Sequence, residues 1–86
     1  MIDAAFQGLS QQDKVALVPF VIAPLKSALA AFAAGKMGER ELIAIEMAVN
    51  QTVRELLPAH SYGVMAERTI EALRARLAEM DAEVPS

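Results

Sequence analysis

Apolar residues recur at intervals of three and four through the second half of the chain, the spacing that places them on one side of an α-helix. The first such stripe is Leu42, Ile45, Val49, Val53 and Leu56. The second stripe is Ala66, Ile70, Leu73, Leu77 and Met80, of which we expect Ile70, Leu73 and Leu77 to be buried. We therefore predict amphipathic helices at about 39–57 and 63–82. Pro58 should end the first of them, because proline restricts the residue before it.

The first half of the chain has a different pattern, because residues 15–34 carry a single charge, Lys26. This stretch is rich in alanine, leucine and valine, which leaves no polar side to face water. A helix that is apolar all round is normally covered, either by protein or by lipid. We expect this segment to lie against other helices.

Two prolines interrupt this apolar stretch, Pro19 and Pro24. Each removes a helical hydrogen bond and its ring clashes with the preceding turn, at a cost of about 3 kcal/mol in mid-helix. We therefore predict a bend or break between residues 18 and 25, which would separate a helix at 10–18 from a helix at 24–34. Ser10 is suited to cap the first, and Gly35 to end the second.

These patterns predict an all-α fold, since no long strand-like alternation occurs and good helix formers dominate. We predict one helical domain over residues 1–86, a small bundle of three to four helices with a proline bend at 19–24. The predicted helices are 10–18, 24–34, 39–57 and 63–82. Residues 2–7 could add a turn or two of helix before Gly8.

Composition changes this picture in one respect, the excess of apolar residues. Hydrophobic residues make up 55% of an 86-residue chain, and a domain this small buries only about 60% of its extended-chain surface. The excess needs a covering surface, and a second copy of the chain is the simplest one. We therefore predict a homo-oligomer, with a dimer favoured.

Charge and cysteine content exclude several classes of function. The net charge is −3 and no basic run occurs, so nucleic acid is not an expected partner. The chain has no cysteine, which excludes a disulfide framework and a thiolate metal site. The absence of cysteine and the acidic composition favour a small accessory protein of the cytoplasm.

Residues 15–34 have the length of a membrane span, since about 20 apolar residues cross the hydrocarbon layer. Lys26 lies near the middle of this stretch, the prolines interrupt it, and neither tryptophan nor tyrosine flanks it. Asp3 and Asp13 precede it, which does not fit a signal peptide. We expect a helix covered by protein and not one inserted into a membrane.

Two sets of residues are candidates for contact with another chain. The apolar set is Phe20, Ile22, Phe32 and Met47, which the predicted stripes leave without a place in the core. The polar set is Glu46, Asn50 and Arg54, spaced by four residues along one helix. A polar group in an apolar seam fixes the register of two helices, although such a ladder is also typical of a solvated strip.

A second candidate site lies at the start of the last predicted helix. His60, Ser61, Tyr62 and Arg68 could hold an anion or a small ligand beside free helical N–H groups. The structural alternative is that Ser61 caps the helix while Tyr62 covers the edge of the core. His60 is the single histidine, which excludes a histidine-rich zinc site within one chain.

The sequence contains no arrangement that predicts catalysis: neither a glycine-rich phosphate loop nor a nucleophile with a base and an orienting third group is present. We expect no enzymatic activity, no cofactor and no metal. The predicted function is a non-catalytic, oligomeric protein-interaction or regulatory protein whose apolar helix surfaces bind and modulate a partner protein. The alternative is a small-ligand-binding or sensor protein, with its pocket at a subunit boundary near residues 60–68.

Overall fold

The computed structural model of the protein describes residues 8–83, and every regular element in that part of the chain is an α-helix. Helix α1 is Gln11–Ala33, α2 is Glu39–Leu56 and α3 is Ser61–Glu83. The predicted all-α fold is confirmed in its three-helix form. The turn of helix expected at 2–7 lies outside the described residues.

The predicted proline bend is not confirmed, because α1 continues through both Pro19 and Pro24. The segments 10–18 and 24–34, expected as separate helices, form this one helix. Both prolines lie at exposed positions on α1. At an exposed position the pyrrolidine ring of proline displaces no core side chain, and water can reach the backbone more readily than in the core.

The ends of α1 follow the sequence signals. The Ser10 side chain accepts a hydrogen bond from the backbone N–H of Asp13, at 3.1 Å. At the other end, Gly35 adopts a φ of 74°, and the N–H of Lys36 donates to the Ala31 carbonyl at 2.9 Å. This is a Schellman cap, and glycine adopts its left-handed conformation without steric cost.

Helix α2 lies in the middle of the arrangement, with α1 packed on one side and α3 on the other, while α1 and α3 scarcely meet. The core is aliphatic throughout, and no polar or charged residue is buried in the described part of the chain. Its buried residues are Ala28, Leu42, Ile43, Val49, Val53, Leu56, Leu57, Ala66 and Ile70. Only one of these, Ala28, belongs to α1.

The α3 stripe is buried only at its N-terminal end. Ala66 and Ile70 are buried, whereas Leu73 and Leu77, both expected to be enclosed, are half-buried. Since α1 does not cover α3, α2 alone shields most of this stripe.

The turn between α2 and α3 depends on Gly63, which is buried in the first turn of α3. A Cβ atom at this position would lie 1.8 Å from the Leu57 carbonyl oxygen and 3.3 Å from the Cα of Pro58. Glycine is therefore required for the backbone before the turn to pack against α3. The Leu57 side chain itself is fully buried.

Ion pairs join α2 to α3 at both ends of this helical hairpin. At the open end, the Arg76 guanidinium donates to both carboxylate oxygens of Glu39, at 2.7 and 3.0 Å, and Arg40 pairs with Asp81 at 2.8 Å. The hydrogen bonds from Arg76 lower the pKa of the Glu39 carboxyl and raise the pKa of the guanidinium itself. Near the turn, Arg54 pairs with Glu67 at 2.8 Å.

Candidate interaction surface

Helix α1 is apolar on most of its circumference and is nevertheless largely uncovered. Ala28 is its single buried residue. Phe20 is 76% exposed, Leu29 47% and Phe32 41%. Exposed apolar side chains in this number on one helix are typical of surfaces that take part in protein–protein or membrane contacts.

One flank of α1 carries apolar residues at alternating spacings of four and three. We call this set the α1 seam: Val18, Ile22, Leu25, Leu29 and Phe32. Leu29 and Phe32 are exposed, Val18, Ile22 and Leu25 are half-buried, and none of the five is charged or polar. This spacing is that of the a and d positions of a coiled coil, where one helix packs side chains into gaps of another.

A groove of about 420 Å³ opens between α1 and α2 on a different side of α1. Phe20, Val21 and Pro24 form its α1 wall. Its α2 wall is Ile45, Ala48, Val49 and Thr52. We call this the α1–α2 groove; its one side-chain hydroxyl, on Thr52, already donates within α2 to the Ala48 carbonyl at 3.0 Å.

The apolar residues predicted to contact a partner do not share one surface. Phe20 and Ile22 are two positions apart and therefore about 200° apart around α1. Phe20 borders the groove, whereas Ile22 and Phe32 belong to the seam. Met47 lies on α2 and is half-buried.

The predicted polar ladder is largely occupied inside the chain. The Asn50 Nδ2 group donates to the Glu46 carbonyl at 2.7 Å, a hydrogen bond within α2. Arg54 forms the ion pair with Glu67 that links α2 to α3. Glu46 is half-buried on the same helix. Arg54 is thus the one member of the ladder that joins the two helices of the hairpin, while the Asn50 hydrogen bond stays within α2.

Of the residues predicted as a ligand site, three lie at or next to the start of α3: His60, Ser61 and Tyr62. The Tyr62 N–H donates to His60 Nδ1 at 3.0 Å, and the Val64 N–H donates to the His60 carbonyl at 3.1 Å. His60 thus caps the helix, the role expected for Ser61. The rings of His60 and Tyr62 lie 4.8 Å apart, and Arg68 is exposed on α3.

Sequence reasoning missed three members of the seam, Val18, Leu25 and Leu29. The signal is present in the sequence, since the four–three spacing runs from 18 to 32 without a gap. Dividing the segment at the prolines concealed it, because no half contains more than three of the five residues. Counting the period across both prolines would have found the seam.

Helix α1 is also long and apolar enough to cross a membrane. Length and composition alone do not separate a membrane span from a signal sequence or from a helix covered by protein. The described residues contain no cluster of three or more histidine, aspartate or glutamate side chains that could hold a metal ion.

The seam and the groove together make α1 the candidate functional surface of the chain. Comparison with protein-family models, curated proteins and solved structures finds no match to this sequence.

Proposed function

We propose that the protein is a non-catalytic, self-associating interaction protein that uses α1 as its contact surface and, once assembled, binds and modulates another protein. The observation that carries this proposal is that α1 is apolar nearly all round and has one buried residue, Ala28. Such a helix is stable in water only when a further surface covers it.

The surface area of the whole chain supports a contact of ordinary size. Its accessible surface is 5747 Å², about 800 Å² more than the roughly 4,900 Å² expected for a compact monomer of this mass. A standard protein–protein interface buries about 800 Å² on each partner. A contact of standard size would therefore bring the accessible surface of each chain close to that of a compact monomer.

The solution mass tests the self-association. We expect the wild-type chain to sediment as a dimer at micromolar concentration, and Leu29→Asp to sediment as a monomer that keeps its helical circular dichroism. Ser27→Asp is the matched control, because it places the same charge two residues away on the same helix at an exposed polar position. A wild-type monomer at 100 µM, on the order of a weak complex's dissociation constant, would contradict the proposal.

Action on a further protein is tested by affinity capture from the native host. We expect the wild-type chain and Ser27→Asp to retain the same partner, and the monomeric Leu29→Asp to lose it. Retention by the monomer would show that assembly is not needed for binding.

Membrane attachment is the second candidate, favoured by the length and apolar composition of α1. It requires α1 to leave α2, which would expose α2 residues that face α1, such as Ile45 and Val49. It would also place the Lys26 charge in the hydrocarbon layer.

Flotation with neutral phosphatidylcholine vesicles separates the two candidates. We expect the protein to stay in the dense fraction with α1 protected by a second copy. Recovery with the vesicles would instead support attachment to the bilayer.

A further inference from the structure

We infer that α1 pairs in an antiparallel orientation with α1 of a second copy, along the seam and centred on Leu25. This inference rests on the proposed self-association and names the surface and geometry that produce it. The seam, from Val18 to Phe32, spans 14 helical steps and is therefore about 21 Å long. That length allows four turns of continuous packing between two helices.

The order of side-chain sizes along the seam fits an antiparallel pair. With Leu25 opposite its own copy, Val18 of each chain lies opposite Phe32 of the other, and Ile22 lies beside Leu29. Each layer then combines a smaller side chain with a larger one, or two of similar size, so that the layers have comparable volumes. A parallel pair would place two Phe32 rings in one layer and two Val18 side chains in another.

Helix dipoles favour the same orientation. An antiparallel pair brings the positive N-terminal end of one α1 beside the negative C-terminal end of the other. No ion pair or buried polar group within the seam opposes this, because all five of its side chains are apolar.

A second copy is the occupant that the composition favours. In a two-fold contact the same patch is used by both partners, so one interface covers the apolar excess of both chains. The surplus of about 800 Å² per chain equals one partner's share of a standard interface. The seam also has the spacing needed to pack against its own copy.

Cysteine cross-linking tests the orientation directly, because the chain has no cysteine of its own. A disulfide requires two Cα atoms within about 7 Å. In the antiparallel pair, the two Val18 positions lie about 21 Å apart along the helix axis, so Val18→Cys should not cross-link to itself. A mixture of Val18→Cys and Phe32→Cys, carrying different tags, should give mainly the mixed disulfide dimer.

Leu25→Cys and Ser27→Cys locate the contact on α1. We expect Leu25→Cys to form a disulfide dimer in high yield. Ser27→Cys, which lies on another side of the helix, should give at least about tenfold less disulfide dimer. Equal yields from the two would place the contact away from the seam and overturn the inference. Circular dichroism of each variant before oxidation checks that the helices are intact.

The possible results also separate this inference from the proposed function. Cross-linking of Val18→Cys to itself, with no mixed product, would show a parallel pair and overturn the inference while the proposed self-association stands. A dimeric mass without cross-links at any seam position would do the same. A monomeric mass for the uncross-linked wild-type chain would overturn both.

Discussion

The α2–α3 hairpin and helix α1 meet the same requirement, covering apolar side chains, in opposite ways. The hairpin divides each helix into an apolar and a polar side, buries residues such as Val53 and Ile70, and joins its two helices by ion pairs. Helix α1 has almost no polar side and buries Ala28 alone. The hairpin buries most of the α2 stripe and the first part of the α3 stripe, although Val64 and Met65 of α3 are exposed, whereas α1 leaves nearly all of its apolar side chains half-buried or exposed.

This difference teaches where the two kinds of residue act. An amphipathic stripe specifies packing inside a chain, because the helix turns its polar side to solvent and its apolar side to the core. A helix without a polar side has no such orientation from solvent. Its contacts are set by side-chain size and spacing, and the α1 seam supplies both.

The largest expected effect is on stability, when a large apolar side chain is truncated to alanine in the hairpin and, for comparison, in α1. Ile70→Ala should lower the free energy of unfolding by about 2–5 kcal/mol, because Ile70 is fully buried and a cavity would remain. Leu29→Ala should cost less than about 1 kcal/mol in a dilute monomer, since its side chain is already 47% exposed. Urea denaturation of both variants measures this, and equal losses would break the comparison.

The next effect concerns the hairpin turn. Gly63→Ala should destabilise the protein by about 3 kcal/mol, because the added Cβ would overlap the Leu57 carbonyl oxygen. The expected loss of stability is informative, because glycine-to-alanine changes inside helices normally stabilise them. Gly38→Ala is the control, with nothing near its added Cβ. A Gly63→Ala variant with an unchanged denaturation midpoint would show that the turn tolerates the methyl group.

A smaller effect is expected at the start of α3. His60→Ala removes the side-chain acceptor for the Tyr62 N–H and should cost about 1 kcal/mol. His60→Asn should recover most of this loss, because its amide oxygen can accept the same hydrogen bond. Thermal denaturation of the two variants provides the measurement; equal losses would mean that the cap contributes nothing.

The smallest effect is a pH dependence at the open end of the hairpin. Because Arg76 lowers the pKa of Glu39 in the folded protein, their pairing stabilises the fold above the ordinary glutamate pKa of about 4. This stabilisation is lost as the pH falls through the lowered folded-state pKa. Glu39→Gln should therefore flatten the acid limb of the denaturation midpoint, and Glu71→Gln, an exposed control, should not. Identical acid limbs in wild type and Glu39→Gln would exclude this role.

The sequence predicted the hairpin closely because its signals agree with one another. Helices expected at 39–57 and 63–82 occur at Glu39–Leu56 and Ser61–Glu83. Their periodic stripes, the proline after α2 and the polar residues opposite the core all indicate the same boundaries. The half-burial of Leu73 and Leu77 was not predictable, since it depends on where α1 lies.

Prediction of α1 was less complete because two principles conflict there. Proline disfavours helix interiors, at about 3 kcal/mol each, whereas the caps at Ser10 and Gly35 and the alanine and leucine residues of 25–34 favour helix. The helix-favouring residues and caps outweigh the two prolines, since α1 is continuous. The same division affected the prediction of the contact surface. Phe20 and Ile22 were assigned to one surface because both are apolar, although they lie on different sides of a single helix.

The core between α2 and α3 is wholly aliphatic. Among the described residues, it therefore contains no buried polar group that would resist sliding of α3 along α2. A shift of one helical turn, about 5.4 Å, would still bury leucine and isoleucine against one another. Such a shift would separate Arg76 from Glu39 and would bring Ala59 or Glu67 to the position of Gly63. Either residue would place a Cβ atom against the Leu57 carbonyl oxygen. The register of the hairpin is therefore fixed at its periphery, by one glycine and a few exposed ion pairs.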